Sequence, residues 1–108
     1  MKTIDKKDFK QLKKDFTAWV EMAFNEGYTS FYSEGCITKE AEQTFNYDTI
    51  TVVIMISAVC SIETGAVITS FFNDIEIVDQ WGIEYMSHQI NPSQTNELNN
   101  LLKATSCY

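Results

Sequence analysis

The side chains best equipped for chemistry in this chain are few: one histidine, His88, and three cysteines, Cys36, Cys60 and Cys107. A zinc centre built from them needs ligands a few residues apart, because short loops between paired ligands hold the tetrahedron, and none of these residues has such a neighbour. A Cys36 thiol activated by His88 requires only that folding bring the two together. That pairing, or His88 acting with an acidic residue, is the catalytic alternative the sequence leaves open. Against it, His88 stands just before a helix-capping pattern, where loop histidines are commonplace. Cys60 falls in phase with a core strand, where a thiol packs as a small apolar group. An odd number of cysteines without a close pair reads as free thiols of a reducing compartment. Glu76 and Glu84 share one face of an alternating segment, yet acid–base work needs a cleft that moves one pKa away from the other, and a solvated sheet face is the simpler reading. Gly27, Gly35, Gly65 and Gly82 are isolated, so no loop cradles a phosphate. The expectation is a protein that is not an enzyme and takes no cofactor and no metal.

Charge is unevenly distributed. Residues 1–15 hold six lysines and three aspartates, a net of +3, whereas residues 16–108 hold two lysines and twelve acids, a net of −10. Every basic residue is lysine, so the guanidinium fork that reads phosphates and guanine edges is missing. Direct nucleic-acid binding is therefore not expected. No apolar run reaches the roughly 20 residues that span a bilayer, and Met1–Asp8 lacks a signal-peptide core. A cytoplasmic protein that does not enter membranes is expected.

The elements that would position these groups follow from periodicity. Phe9, Leu12, Phe16, Trp19, Val20, Ala23 and Phe24 recur at three- and four-residue steps and predict an amphipathic helix over 6–26, with Asp5 as N-cap and Gly27 at its end. Its lysines come early and its glutamates late, opposite to the preference of the helix dipole. Residues 28–33 read as a strand, 34–35 as a turn, and the polar segment 36–45 as an edge strand. The β-branched run 49–60 must lie in the central strand, which is expected to run from about Phe45 or Tyr47 to Cys60, with Ile50, Val52, Ile54, Ile56, Ala58 and Cys60 on its core face. A break at 61–65 leads to a strand over 66–72, Asn73-Asp74 has hairpin chemistry, and 74–86 alternates with Ile75, Ile77, Trp81, Ile83 and Tyr85 in one phase, with Val78, Asp79 and Met86 as exceptions and a bulge or bend expected near Asp79-Gln80 or Gly82. Asn91-Pro92 then starts a short helix with a Leu98, Leu101, Leu102 stripe, Gln94 completing a box-like cap and an end near Thr105. The predicted fold is a single α+β domain: an antiparallel sheet of four or five strands with a long N-terminal and a short C-terminal helix packed on one face.

Two helices leave the second sheet face partly uncovered, and an uncovered apolar face commonly marks an interface. Phe45, Tyr47, Val53, Met55, Val59, Val67 and Phe71 are the apolar candidates for it, and Tyr47, Val53, Met55 and Phe71 are the residues expected to support a two-fold homodimer, with pairing through an edge strand as the other route. The rival is a monomer whose helices divide between the faces. Asp74, Glu76 and Glu84, with Glu63 in the preceding turn, are the candidate contacts to a protein partner with a basic surface.

The segment Ile68-Thr-Ser-Phe-Phe-Asn-Asp-Ile-Glu-Ile-Val-Asp79 followed by a leucine helix resembles the endings of small phage proteins. In size and charge the chain is similar to small acidic anti-CRISPR, anti-restriction and toxin-immunity proteins. Elimination of catalytic motifs together with the acidic charge gives the expectation of a non-catalytic inhibitor of a basic, nucleic-acid-handling partner, in a bacterial cytoplasm if phage-encoded, against an acidic domain whose charge serves only solubility. A structural phage protein is the alternative of the same origin.

Overall fold

Alternate residues of the strand Ile50–Ser61 are buried because helices close over one of its faces. A computed structural model describes the backbone of residues 1–26 and 28–106, and the side chains of all of these except 25–33 and 106. The elements in chain order are helix α1 (Lys6–Glu26), strands β1 (Tyr28–Ser33), β2 (Cys36–Asn46), β3 (Ile50–Ser61), β4 (Val67–Asp79) and β5 (Glu84–Tyr85), a 3₁₀ turn (Ser87–Gln89), and helix α2 (Pro92–Ser106). The strands form an antiparallel meander in the order β1-β2-β3-β4-β5, with both helices against one face. This is the α+β arrangement expected, with the helices stacked together rather than divided between faces.

The helix α1 begins where Asp5 caps it: its Oδ1 accepts the Lys7 N–H at 3.1 Å and its carbonyl accepts the Phe9 N–H at 2.8 Å. Phe9, Leu12, Phe16, Val20, Ala23 and Phe24 are buried against the sheet. The dipole mismatch noted above is answered from β2, whose Lys39 Nζ donates to the Phe24 carbonyl at 3.0 Å in the last turn. The expected Gly27 cap lies outside the described residues. Helix α2 starts at Asn91, whose Oδ1 accepts the Ser93 N–H at 2.9 Å. Gln94 does not close a capping box. Its side chain instead clamps Ile4, accepting that residue's N–H and donating to its carbonyl, each at 2.8 Å. The N-terminal residues are thereby tied beside Ile90, to which Lys2 pairs as a parallel bridge.

Four expectations are corrected by the pairing. The central strand starts at Ile50 rather than near Phe45 or Tyr47, because Phe45 and Asn46 close β2 opposite Val52 and Thr51. The segment after Gly35 is not an edge along its whole length: Cys36–Glu40 lies between β1 and β3, while 41–46 pairs only with β3. Asn73-Asp74 makes no hairpin. Strand β4 runs through it, with Asn73 as the extra residue of a bulge between Asp74, opposite Met55, and Phe72, opposite Ile56. The hairpin comes later, at Asp79–Ile83, where Gly82 takes φ +78° and Asp79 Oδ1 accepts the N–H groups of Trp81 and Ile83, both at 2.9 Å. Trp81 and Ile83 consequently stand in a turn, exposed, instead of continuing the buried phase of Ile75 and Ile77.

Candidate functional site

Register in the sheet fixes which side chains share the face turned away from the helices. Residues directly opposite one another in an antiparallel pair point to the same side. On β3 the helix-covered positions Ile50, Val52, Ile54, Ile56, Ala58 and Cys60 are buried, as expected, so Thr51, Val53, Met55, Ser57 and Val59 belong to the open face. Opposite Ser57 and Met55 on β2 stand Glu40 and Glu42. Opposite Met55 and Val53 on β4 stand Asp74 and Glu76, and Glu84 on β5 pairs with Val78 two residues further along. Carboxylates thus flank β3 on both sides at Met55, with Glu40 one step toward Val59 on the β2 side and Glu76 one step toward Thr51 on the β4 side, while Val59 stands between Thr38 and Thr69.

The bulges in β4 decide its composition. Upstream of Asn73, the even-numbered Ser70 and Phe72 face the helices; downstream, the odd-numbered Ile75, Ile77 and Asp79 do. Phe71 therefore joins Asp74 and Glu76 on the open face, where it is 47% exposed. Ser57 is buried there and donates to Asn73 Oδ1 at 3.1 Å, which ties the bulge to the central strand. A second irregularity places Ile68 between Thr69, opposite Val59, and Val67, opposite Cys60. Val67 consequently packs against the core, although its parity matches that of Phe71.

Of the residues expected on the second face, Val53, Met55, Val59 and Phe71 lie there. Phe45 and Tyr47 do not. Phe45 is opposite Val52, is buried, and meets the Trp19 ring edge-on at 5.9 Å between centroids. Tyr47 lies beyond the end of β2 and packs on the helix side, where its hydroxyl donates to Asp15 Oδ2 at 2.8 Å. Its burial, the Asp15 carboxylate and the nearby Asp8 push the phenol above its ordinary pKa of 10.0. Among the candidate partner contacts, Asp74, Glu76 and Glu84 come together on the open face. Glu63 stands apart in the exposed turn between β3 and β4. Glu40 and Glu42 escaped the sequence reading; their signal was the alternation with Ala41 and Phe45, which places the acids of 36–46 on one side.

The lysines are confined to one side of the sheet, although acids stand on both: α1 also carries Asp8, Asp15 and Glu21, and α2 carries Glu97. Among the described residues five carboxylates line the open face, and none of the eight lysines does. Lys6, Lys7, Lys10, Lys13 and Lys14 belong to α1 and Lys103 to α2. Lys39 reaches up to the α1 carbonyl, and Lys2 lies over the Tyr85 ring at 5.2 Å. Lys13 forms an ion pair with Glu97 between the helices at 3.6 Å.

The residues suited to catalysis are not assembled. Cys36 is opposite Ser61 at one end of β3, whereas His88 follows β5, which is bonded to the part of β4 opposite Val52 and Thr51. At about 3.3 Å per residue that separation is about 30 Å. His88 is exposed in the 3₁₀ turn beside a hollow lined by Met1, Lys2, Tyr85 and Gln89. Cys60 is buried, which raises its thiol pKa even though Lys39 acts in the opposite sense. Among the described residues no three of His, Cys, Asp and Glu converge as metal ligands do. Cys107 lies outside the described residues. No described helix is long and apolar enough to cross a membrane. Comparison of the chain with family models, with curated proteins and with solved structures returns no match, so the open face is interpreted from its own geometry.

Proposed function

We propose that the protein acts by binding, without catalysis, and that its open sheet face docks on a basic surface of a nucleic-acid-handling protein whose activity it inhibits. The observation that carries this reading is the segregation of the lysines from that face: carboxylates at Glu40, Glu42, Asp74, Glu76 and Glu84 stand on it, and every lysine lies on the other side. Carboxylates fixed on paired strands can occupy sites where a partner's lysines and arginines hold phosphates. Such a surface suits an antidefence role in phage, of the anti-CRISPR or anti-restriction kind, and equally a toxin-immunity role. The enzymatic alternative loses support from the separation of Cys36 and His88.

The test is capture from lysate of the source cell or its host, with wild type and a Glu42→Lys/Glu76→Lys variant compared side by side. A basic nuclease or defence ribonucleoprotein should be retained by the wild type, released by nucleic acid and by rising salt, lost with the variant, and inhibited in its own assay. Retention that charge reversal leaves unchanged, or binding without inhibition, would overturn the proposal.

A further inference from the structure

We infer that the open face is shaped for a basic amphipathic α-helix of the partner, seated lengthwise over β3; this rests on the docking reading above and adds the form of the segment that docks. The width comes first. Glu42 and Asp74 are both opposite Met55, from β2 and β4 respectively, so the two carboxylate rows lie two strand spacings apart, about 9.6 Å. A helix with its side chains is about 10 Å across and fills that interval.

Side-chain direction then separates helix from strand. An extended segment points alternate side chains toward and away from the sheet, so it offers the face a single line of side chains. A helix lays an apolar stripe on the floor and carries basic residues down both flanks at once. Spacing along the rows agrees. Glu40 and Glu42, like Asp74 and Glu76, are two strand residues apart, about 6.6 Å. Helical residues four apart rise about 6.0 Å, so Lys or Arg at i and i+4 falls beside successive carboxylates.

The floor supplies the remaining term. Val53, Met55 and Val59 are half-buried and Phe71 is exposed, which leaves apolar surface, interrupted at the buried Ser57, to be covered along about 20 Å of β3, the length of about 13 helical residues. Met55 at its middle has the adaptable side chain suited to packing against a foreign stripe. No lysine of this chain competes for the rows, and the acids turn away phosphate-bearing ligands such as nucleic acid or anionic lipid.

Two synthetic peptides of about 14 residues, both made only of leucine and lysine in equal proportions, test the inference against the intact protein. One places leucine at helical period with lysine on both flanks; the other alternates the two residues strictly. The helical peptide should bind with 1:1 stoichiometry about tenfold more tightly than the alternating one and gain helical circular dichroism on binding. Glu42→Lys/Asp74→Lys and, separately, Met55→Lys should each weaken it by about tenfold while leaving the protein's own spectrum unchanged. Equal binding of both peptides, still lost on charge reversal, would overturn the helical form while sparing the acidic docking face. Binding by neither peptide, or binding indifferent to charge reversal, would overturn both.

Discussion

Tyr47 shows how far residue-by-residue reading reaches. Its aromatic character marked it for an apolar face, but alternation stops at the end of a strand, and Tyr47 lies one residue past β2. Its side chain turns to the helices because Asp15, which also accepts from Gln11 Nε2 at 2.9 Å, offers the hydroxyl a partner beneath α1. A phenol whose folded-state pKa is raised favours the protonated form in the native protein. Its contribution to stability is complete below the unfolded value near 10 and is lost as pH climbs above it. Melting temperature should therefore fall as pH is raised beyond about 10, and Tyr47→Phe should lose less over the same interval. Core residues, by contrast, were legible from periodicity alone. Ile54 is fully buried on the central strand, and Ile54→Ala should cost about 2–5 kcal/mol in denaturant unfolding. Cys60 is buried as its phase predicts and should resist alkylating reagents in the native protein while reacting on unfolding.

The elements that were legible carried two agreeing signals. Helix α1 combines a long apolar period with the Asp5 cap, and α2 combines a leucine stripe with Asn91-Pro92, so their starts are where the sequence puts them. Strand β4 carried conflicting signals. Asn73-Asp74 has turn-forming side chains, and a bulge makes use of the same residue types; only the continuation of pairing to Asp79 distinguishes the two. That pairing is a property of β3 as much as of β4, and one segment's pattern does not contain it. The same bulge sends Phe71 to the open face and Phe72 to the core, a division that unbroken alternation from Ile75 would reverse. The true hairpin depends on the buried Asp79 carboxylate, which holds two backbone amides. Asp79→Ala should destabilise the protein by about 1–3 kcal/mol, with the Trp81 and Ile83 amides exchanging faster than those of β3.

At the scale of the whole molecule, the sequence has a basic start and an acidic body, and folding leaves every lysine off the open sheet face while acids stand on both sides of the sheet. Three of the five acids of the open face were legible: Asp74, Glu76 and Glu84 lie on an alternating stretch. Glu40 and Glu42 lay hidden in a polar segment whose register is set by β3. Their presence bears on the expected homodimer, because a two-fold pairing of open faces would set like-charged rows against each other. At micromolar concentration and low salt, sedimentation should give the 12.4 kDa monomer. A dimer stable at low salt would show that the apolar strip outweighs the acids.

The central claim is that the acidic sheet face, and not the lysine-bearing helix layer, meets the partner. Its most direct measurement is the affinity of the basic protein captured from host lysate for two charge-reversed variants, Glu42→Lys/Glu76→Lys on the sheet and Lys10→Glu/Lys14→Glu on α1. The sheet variant should bind at least about tenfold more weakly than wild type, with the difference shrinking as salt rises, while the helix variant should bind as well as wild type or better. Loss of binding in the helix variant with the sheet variant unaffected would contradict the account.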